Sequence, residues 1–309
     1  MIGVDTLTAI LVSMIVAATP LIYAGIGELV VEKSGVLNLG VEGMMLVGAV
    51  AGFAVAATTG SAFLAIPVAM MAGAAMALVF GVLTLTLLAN QVATGLALTI
   101  FGIGLSSLIG KGYVGTPLDR LPRLDLPVLS DIPLIGPVLF GHDALVYLSV
   151  ATVAAVGWFL SRTRPGLVLR AIGDNHDAAH AIGYPVIAVR YAAVAFGGAM
   201  SGLGGAYLSL AYSPMWAENM SAGRGWIALA LVVFATWRPG RLLAGAYLFG
   251  GVTIAQLHVQ GAGIAVPAQV MSMLPYLATI VVLVIISRDA ARIRLNAPAC
   301  LGKVFQADA

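Results

Sequence analysis

The segment His176-Asp-Ala-Ala-His180 has the spacing of a reactive metal constellation. Two histidines four residues apart share one helix face and could hold zinc, with Asp177 in the place of the general base. Asp is one methylene shorter than the usual Glu, and a catalytic zinc takes a third protein ligand. The other histidines, His142 and His258, fall on the opposite side of the membrane in the topology derived below. The expectation is a solvated short helix without metal. A phosphate loop is also missing. Five residues separate Gly104 from Gly110, where such a loop has four, and Gly112 follows Lys111 in place of the Ser or Thr that holds magnesium. No catalytic residue, metal or cofactor is expected, and the chain does not read as an enzyme.

The remaining polar residues of interest are embedded in apolar sequence. Asn38 and Glu42 are four apart and share a face if helical. They could line a pathway for a polar solute, because irregular backbone at membrane depth is tolerated where it lines a cavity. Helix capping and interhelical hydrogen bonds are the alternative. Asn90, Gln91 and Thr94 open another apolar run and carry the same two readings. Trp216 and Asn219 fall in an external loop, where a Trp reads as an interfacial anchor and a substrate role is the alternative.

Residues Arg170 to Pro185 have a helical grammar of their own. Asp174 or Asn175 can cap a helix start, and Ala178, Ala179 and Ala181 favour helix. Gly183 suits the left-handed position after a helix, and Pro185 stops continuation. A helix this short is not stable alone and must pack on something, either a partner protein or the chain's own core.

The elements that must position these residues are membrane spans. The 309 residues are 61 % hydrophobic and 9 % charged, with a mean hydropathy of +1.03. Soluble domains carry about 25 % charged residues. A soluble globule, a disordered chain, a nucleic-acid binder and a disulfide-stapled module are excluded. Cys300 is the single cysteine, so no intrachain disulfide forms. The first residues lack the basic region of a signal peptide.

Apolar runs long enough for a bilayer lie near 6–27, 37–58, 62–88, 92–110, 142–160, 188–211, 225–237, 242–259 and 270–287. The fold class is therefore all-α, a single polytopic membrane domain over 1–309 with about nine spans, eight to ten being compatible. The seventh is short, and the first turn of the second is a candidate for a broken or re-entrant start. Gly198 and Gly202, like Gly48 and Gly52, form GxxxG pairs that suit close helix contact. Almost no ionisable side chain is expected within the spans, Glu42 being the main candidate.

Lys and Arg concentrate in cytoplasmic loops. With the N-terminus outside and the C-terminus inside, eleven of the 15 basic residues are cytoplasmic and four are external. Residues 111–141 then form an external loop interrupted by five prolines, residues 161–187 a cytoplasmic loop, and residues 288–309 a cytoplasmic tail.

Several segments together resemble the permease subunits of bacterial ABC importers, in the branched-chain amino acid and simple-sugar permease superfamily. They are Gly35-Val-Leu-Asn-Leu-Gly-Val-Glu-Gly-Met-Met45, Ala89-Asn-Gln-Val-Ala-Thr-Gly-Leu-Ala-Leu98, Gly166-Leu-Val-Leu-Arg-Ala-Ile-Gly-Asp-Asn175, Gly197-Gly-Ala-Met-Ser-Gly-Leu-Gly-Gly205 and Gly223-Arg-Gly-Trp-Ile-Ala-Leu-Ala230. The likeness spans roughly 20–287 and is strongest to the nucleoside and sugar types.

It implies a multi-pass protein of the bacterial plasma membrane that forms half of a pore. It also implies a second permease chain, often a sibling, a cytoplasmic ABC ATPase and an extracytoplasmic binding protein. The segment containing Arg170, Gly173, Asp174, Asn175, Ala178, Ala179 and Gly183 would be the ATPase coupling segment. The substrate expected is a nucleoside or a related sugar-containing solute. The alternatives are simple sugars, branched-chain amino acids, or a stand-alone channel or secondary carrier.

Overall fold

A computed structural model describes residues 4–124, 130, 132–261, 267, 270, 273, 274, 277, 278, 280, 281, 284 and 296–306. The described residues are helical, with isolated bridges and no strands. The long helices are α1 (Val4–Lys33), α2 (Val41–Thr59), α3 (Ala62–Gly81), α4 (Gln91–Gly110), α6 (Ala144–Arg162), α9 (Val186–Tyr207) and α11 (Pro239–Gly261). The short ones are α5 (Ile135–Phe140), α7 (Arg164–Asp174), α8 (His176–Ala181) and α10 (Arg224–Phe234). Turns of π type extend α3 over Val82–Thr86 and α9 over Leu208–Tyr212.

Seven described helices are long and apolar enough to cross a membrane, fewer than the nine expected. The seventh expected run, 225–237, holds only α10, whose 11 residues rise about 16 Å against a hydrocarbon core of about 30 Å. The helix cannot continue, because Thr236 and Trp237 are left-handed (φ 49° and 53°) before Pro239 restarts it as α11. Most of the ninth expected run, 270–287, lies outside the described residues. Helix α2 itself is continuous, and residues 37–40 precede it as extended chain and turn.

A second correction concerns α1. It runs on to Lys33 instead of ending near residue 27, so Glu28 and Glu32 belong to it, each only 1 % exposed. The expectation that spans carry almost no ionisable groups missed both. Trp216 is corrected as well. It is 2 % exposed and packs with Ala49, Val50 and Phe53 of α2, so it is no interfacial anchor.

Helix α9 lies at the centre, against α1, α2 and α3, while α11 and α10 cover another side of α1. In lipid, apolar side chains gain nothing by leaving an apolar solvent, so contact depends on close van der Waals approach between small residues. The glycine pairs supply it. A Cβ on Gly48 would lie 2.4 Å from Cα of Gly202, and one on Gly205 would lie 1.8 Å from the Met45 carbonyl oxygen.

Gly205→Val must therefore push α2 and α9 apart. It should destabilise the protein by about 3 kcal/mol or more, seen as a lower thermal midpoint and loss of monodisperse protein in detergent.

Candidate functional site

Glu42 stands in the first turn of α2 and is 3 % exposed. Its Oε1 accepts from the Ser221 hydroxyl (2.5 Å) and the Gly223 N–H (2.8 Å), and its Oε2 from the Gly225 N–H (2.6 Å). Gly223 and Gly225 belong to the start of α10. One carboxylate therefore sits at the N-terminal ends of two helices, its own and α10, where backbone N–H groups are unpaired and the dipoles favour negative charge. Adjacent Gly43 packs on Leu98 and Thr99 of α4. At 1.5 Å per residue that is about 11 Å in from Gln91, well inside the bundle.

Two irregular segments reach this depth from opposite ends. Residues 34–40 climb from the end of α1. The Leu37 N–H donates to Gln91 Oε1 (2.8 Å), the Asn38 N–H to Glu28 Oε1 (3.1 Å), and the Thr99 hydroxyl to the Leu39 carbonyl (3.0 Å). Residues 213–223 descend from the far end of α9. Trp216 packs on Gly110 at the other end of α4, and Ser221 meets Glu42. The polar backbone of both segments is paired by side chains and by other backbone groups, the condition for irregular chain at membrane depth.

The expected pathway residues take distinct places. Asn38 is fully buried, and its Oδ1 accepts from the Gly40 N–H (2.9 Å) in a turn that starts α2. Asn90 is exposed and caps α4, accepting from the Ala93 N–H (3.0 Å). Gln91 is 3 % exposed, and its Nε2 has no partner among the described residues. Thr94 is 9 % exposed on the same helix. Gln91 thus holds the 34–40 segment that contains Asn38, while Asn90, beside it in sequence, caps α4 from the exposed side.

The second constellation lies at the Lys33 end of the bundle. Asn175 caps α8 by accepting from the Ala178 N–H (2.9 Å), and Gly183 is left-handed (φ 92°) after it. Helix α7, capped by the Thr163 hydroxyl, was not anticipated. Of the coupling residues, Asp174, Asn175, Ala178 and Gly183 are exposed, Arg170 is half-buried, and Gly173 and Ala179 face inward. A Cβ on Gly173 would lie 2.2 Å from the Lys33 carbonyl oxygen. A bulky residue there would disturb the chain's own packing before any partner felt it.

His176 is 6 % exposed and Ala179 3 %, so one face of α8 is buried where a solvated helix was expected. Arg190, 1 % exposed, donates from Nη2 to His176 Nδ1 (3.0 Å) and from Nε to the Ser34 carbonyl (3.1 Å). A guanidinium only donates, so Nδ1 accepts and the ring is neutral, with its proton on Nε2. Burial first, and then Arg190, hold its pKa below the usual histidine value. Among the described residues no group of three potential ligands could hold a metal.

The sequence reading missed Ser221, Gly225, Glu28, Glu32, Trp237 and Arg190. Trp237 Nε1 donates to Glu32 Oε2 (2.5 Å), which fixes the turn between α10 and α11. The i, i+4 carboxylates of Glu28 and Glu32 in apolar sequence were the available signal.

Replacing Glu42 should act through the caps. Glu42→Ala leaves three buried donors unpaired and should cost about 3–5 kcal/mol, and Glu42→Gln, which turns an amide donor towards donors, about 2 kcal/mol. Thermal unfolding in detergent reads both, and equal stability of all three proteins would contradict the geometry.

Comparison with known proteins follows the same outline. The family described as branched-chain amino acid transport system / permease component matches residues 10–285. The chain is 43 % identical to a putative glucose ABC transporter permease protein, TsgC13, of Haloferax volcanii, covering 92 % of this chain and 93 % of that one. It is 33 % identical to the nucleoside ABC transporter permease protein NupC of Lactococcus lactis, covering 91 % and 92 %. It is 31 % identical to the guanosine ABC transporter permease protein NupQ of Bacillus subtilis, again covering 91 % and 92 %. No solved structure matches the chain significantly. A match over nearly the whole chain, together with the apolar helical bundle, places this protein in the branched-chain amino acid transport system permease family.

Proposed function

We propose that the chain is the membrane subunit of an ATP-driven ABC importer for nucleosides or a related sugar-containing solute. It supplies half of the pore, and a partner ATPase hydrolyses the nucleotide. A second, sibling permease chain and an external binding protein complete the assembly in the plasma membrane. The observation that carries this reading is the α7–α8 platform. It lies outside the long helices and is seated on residues 34–36, the start of the irregular segment that leads to Glu42.

Charge supports the orientation. With the C-terminus inside, the α7–α8 platform is cytoplasmic together with eleven of the 15 basic residues. An ATPase would then meet Ala178, Asn175 and Ile182, which is 74 % exposed. Gln91 and Thr94, beside the 34–40 segment, are the residues we assign to the solute pathway, with Asn38 and Glu42 shaping it from behind and Asn90 at its inner mouth. Weak polar contacts suffice for a pore, because a binding protein can carry the selectivity. The relative named for glucose favours a sugar, and the two named for nucleosides favour a nucleoside.

Uptake of labelled uridine, adenosine and glucose by a deletion strain and its complemented parent separates these substrates. Gene-dependent uptake of one class identifies it, and unchanged uptake of all three removes the proposal. In the complemented strain, Ile182→Asp should lower ATP-driven uptake about tenfold by placing a charge in the docking surface, with membrane insertion unaltered.

A further inference from the structure

Helix α8 has six residues and cannot hold itself in place. What holds it is a segment remote in sequence. Residues 296–306 return to α7 and α8 and touch the end of α7 and one face of α8. The Asn296 carbonyl accepts from Lys33 Nζ (2.6 Å). The Cys300 N–H donates to the Gly173 carbonyl (2.8 Å), and its thiol to the Asp174 carbonyl (3.4 Å). The Gly302 N–H donates to the Gly35 carbonyl (3.1 Å), and the Lys303 carbonyl accepts from Arg190 Nη1 (3.5 Å). Phe305, 6 % exposed, lies against the rings of His176 and His180 at 5.2 and 5.4 Å. It packs in one cluster with Ile172, Ala179 and Val186.

Three pieces of chain therefore meet in one knot: residues 34–36, 173–176 and 300–305. Arg190 ties all three through Ser34, His176 and Lys303. Helix α8 reaches the 34–40 segment by two routes, the direct one through Arg190 and one through Phe305 and the tail to Gly35.

We propose that residues 296–306 are a strap that seats the coupling helices on the 34–36 segment, with Phe305 as its positioning residue. Movement imposed on α8 is transmitted through the strap to the segment that ends at Glu42. The outer face of the strap, with Lys303 exposed and Val304 45 % exposed, adds to the surface offered to an ATPase. The coupling part of this inference rests on the ATPase reading above, whereas the seating of the tail does not.

Cys300, the single cysteine and 7 % exposed, reports the seating directly. In the purified permease without any ATPase, a maleimide should label it slowly. Phe305→Ala removes the buried ring, and labelling through local opening should become about a hundredfold faster. Phe305→Leu should stay near the unmutated rate. In the reconstituted complex, Phe305→Ala should still co-purify with the ATPase but move at least about fivefold less solute per ATP hydrolysed. Should Phe305→Ala fail to fold, His180→Ala, which removes one ring contact, is read by the same labelling and transport ratio.

Unchanged labelling in Phe305→Ala would show that the ring does not seat the tail. Fast labelling with an unchanged solute-to-ATP ratio would show that the strap has no part in coupling. If the unmutated protein shows no ATP-driven uptake, the coupling reading falls. The labelling contrast in the isolated permease would survive, so the two failures are distinguishable.

Discussion

A carboxylate taken into an apolar bundle must find donors, and Glu42 finds three. The cost of burying it is offset only by charge-assisted hydrogen bonds from groups already held in place. Those groups are the start of α10 and Ser221, so the carboxylate fixes where α10 begins and how far residues 213–223 descend. It also fixes the first turn of α2 against them. The start of α10, which would otherwise expose unpaired N–H groups inside the bundle, is satisfied by one side chain of α2. The irregular segments exist because this junction closes them.

The helices around the junction are held by close approach, because lipid removes the hydrophobic drive between spans. Gly48, Gly202 and Gly205 let α2 and α9 touch backbone to backbone. That contact is rigid where it occurs. Helix α10, the 34–40 segment and the platform below it share such contacts: a Cβ on Gly225 would lie 2.5 Å from Cα of Glu42, one on Gly95 2.7 Å from the Leu39 nitrogen, and one on Gly173 2.2 Å from the Lys33 carbonyl oxygen. They are tied as well by hydrogen bonds and small apolar clusters.

The Arg190 knot is the counterpart of the Glu42 junction at the Lys33 end. A buried guanidinium has five donors to place, and the chain supplies two carbonyls and a histidine nitrogen from three distant segments. Removing any one leaves a buried donor unpaired. The two knots are joined by residues 34–40, a short irregular stretch of the molecule.

Much of this was legible in the sequence. Composition set the membrane class, because a chain with 9 % charge and such long apolar runs has no soluble solution. The α8 helix, its Asn175 cap and its Gly183 stop followed from local rules, since a cap and a left-handed position depend on neighbouring residues only. The glycine pairs announced close packing. The partners of Glu42, 179 to 183 residues away, were not legible, and neither were those of Arg190, 113 and 156 residues away. Nothing local selects which donor meets a buried carboxylate. The same holds for α10, whose apolar run reads like a span and is cut short by Glu42 at one end and the Glu32–Trp237 bond at the other. The sequence by itself determined the solvent, the helices and their caps, because these follow from near neighbours and transfer energies. The tertiary structure alone decided which buried polar groups pair, because that is settled by geometry between segments that only the folded chain brings together.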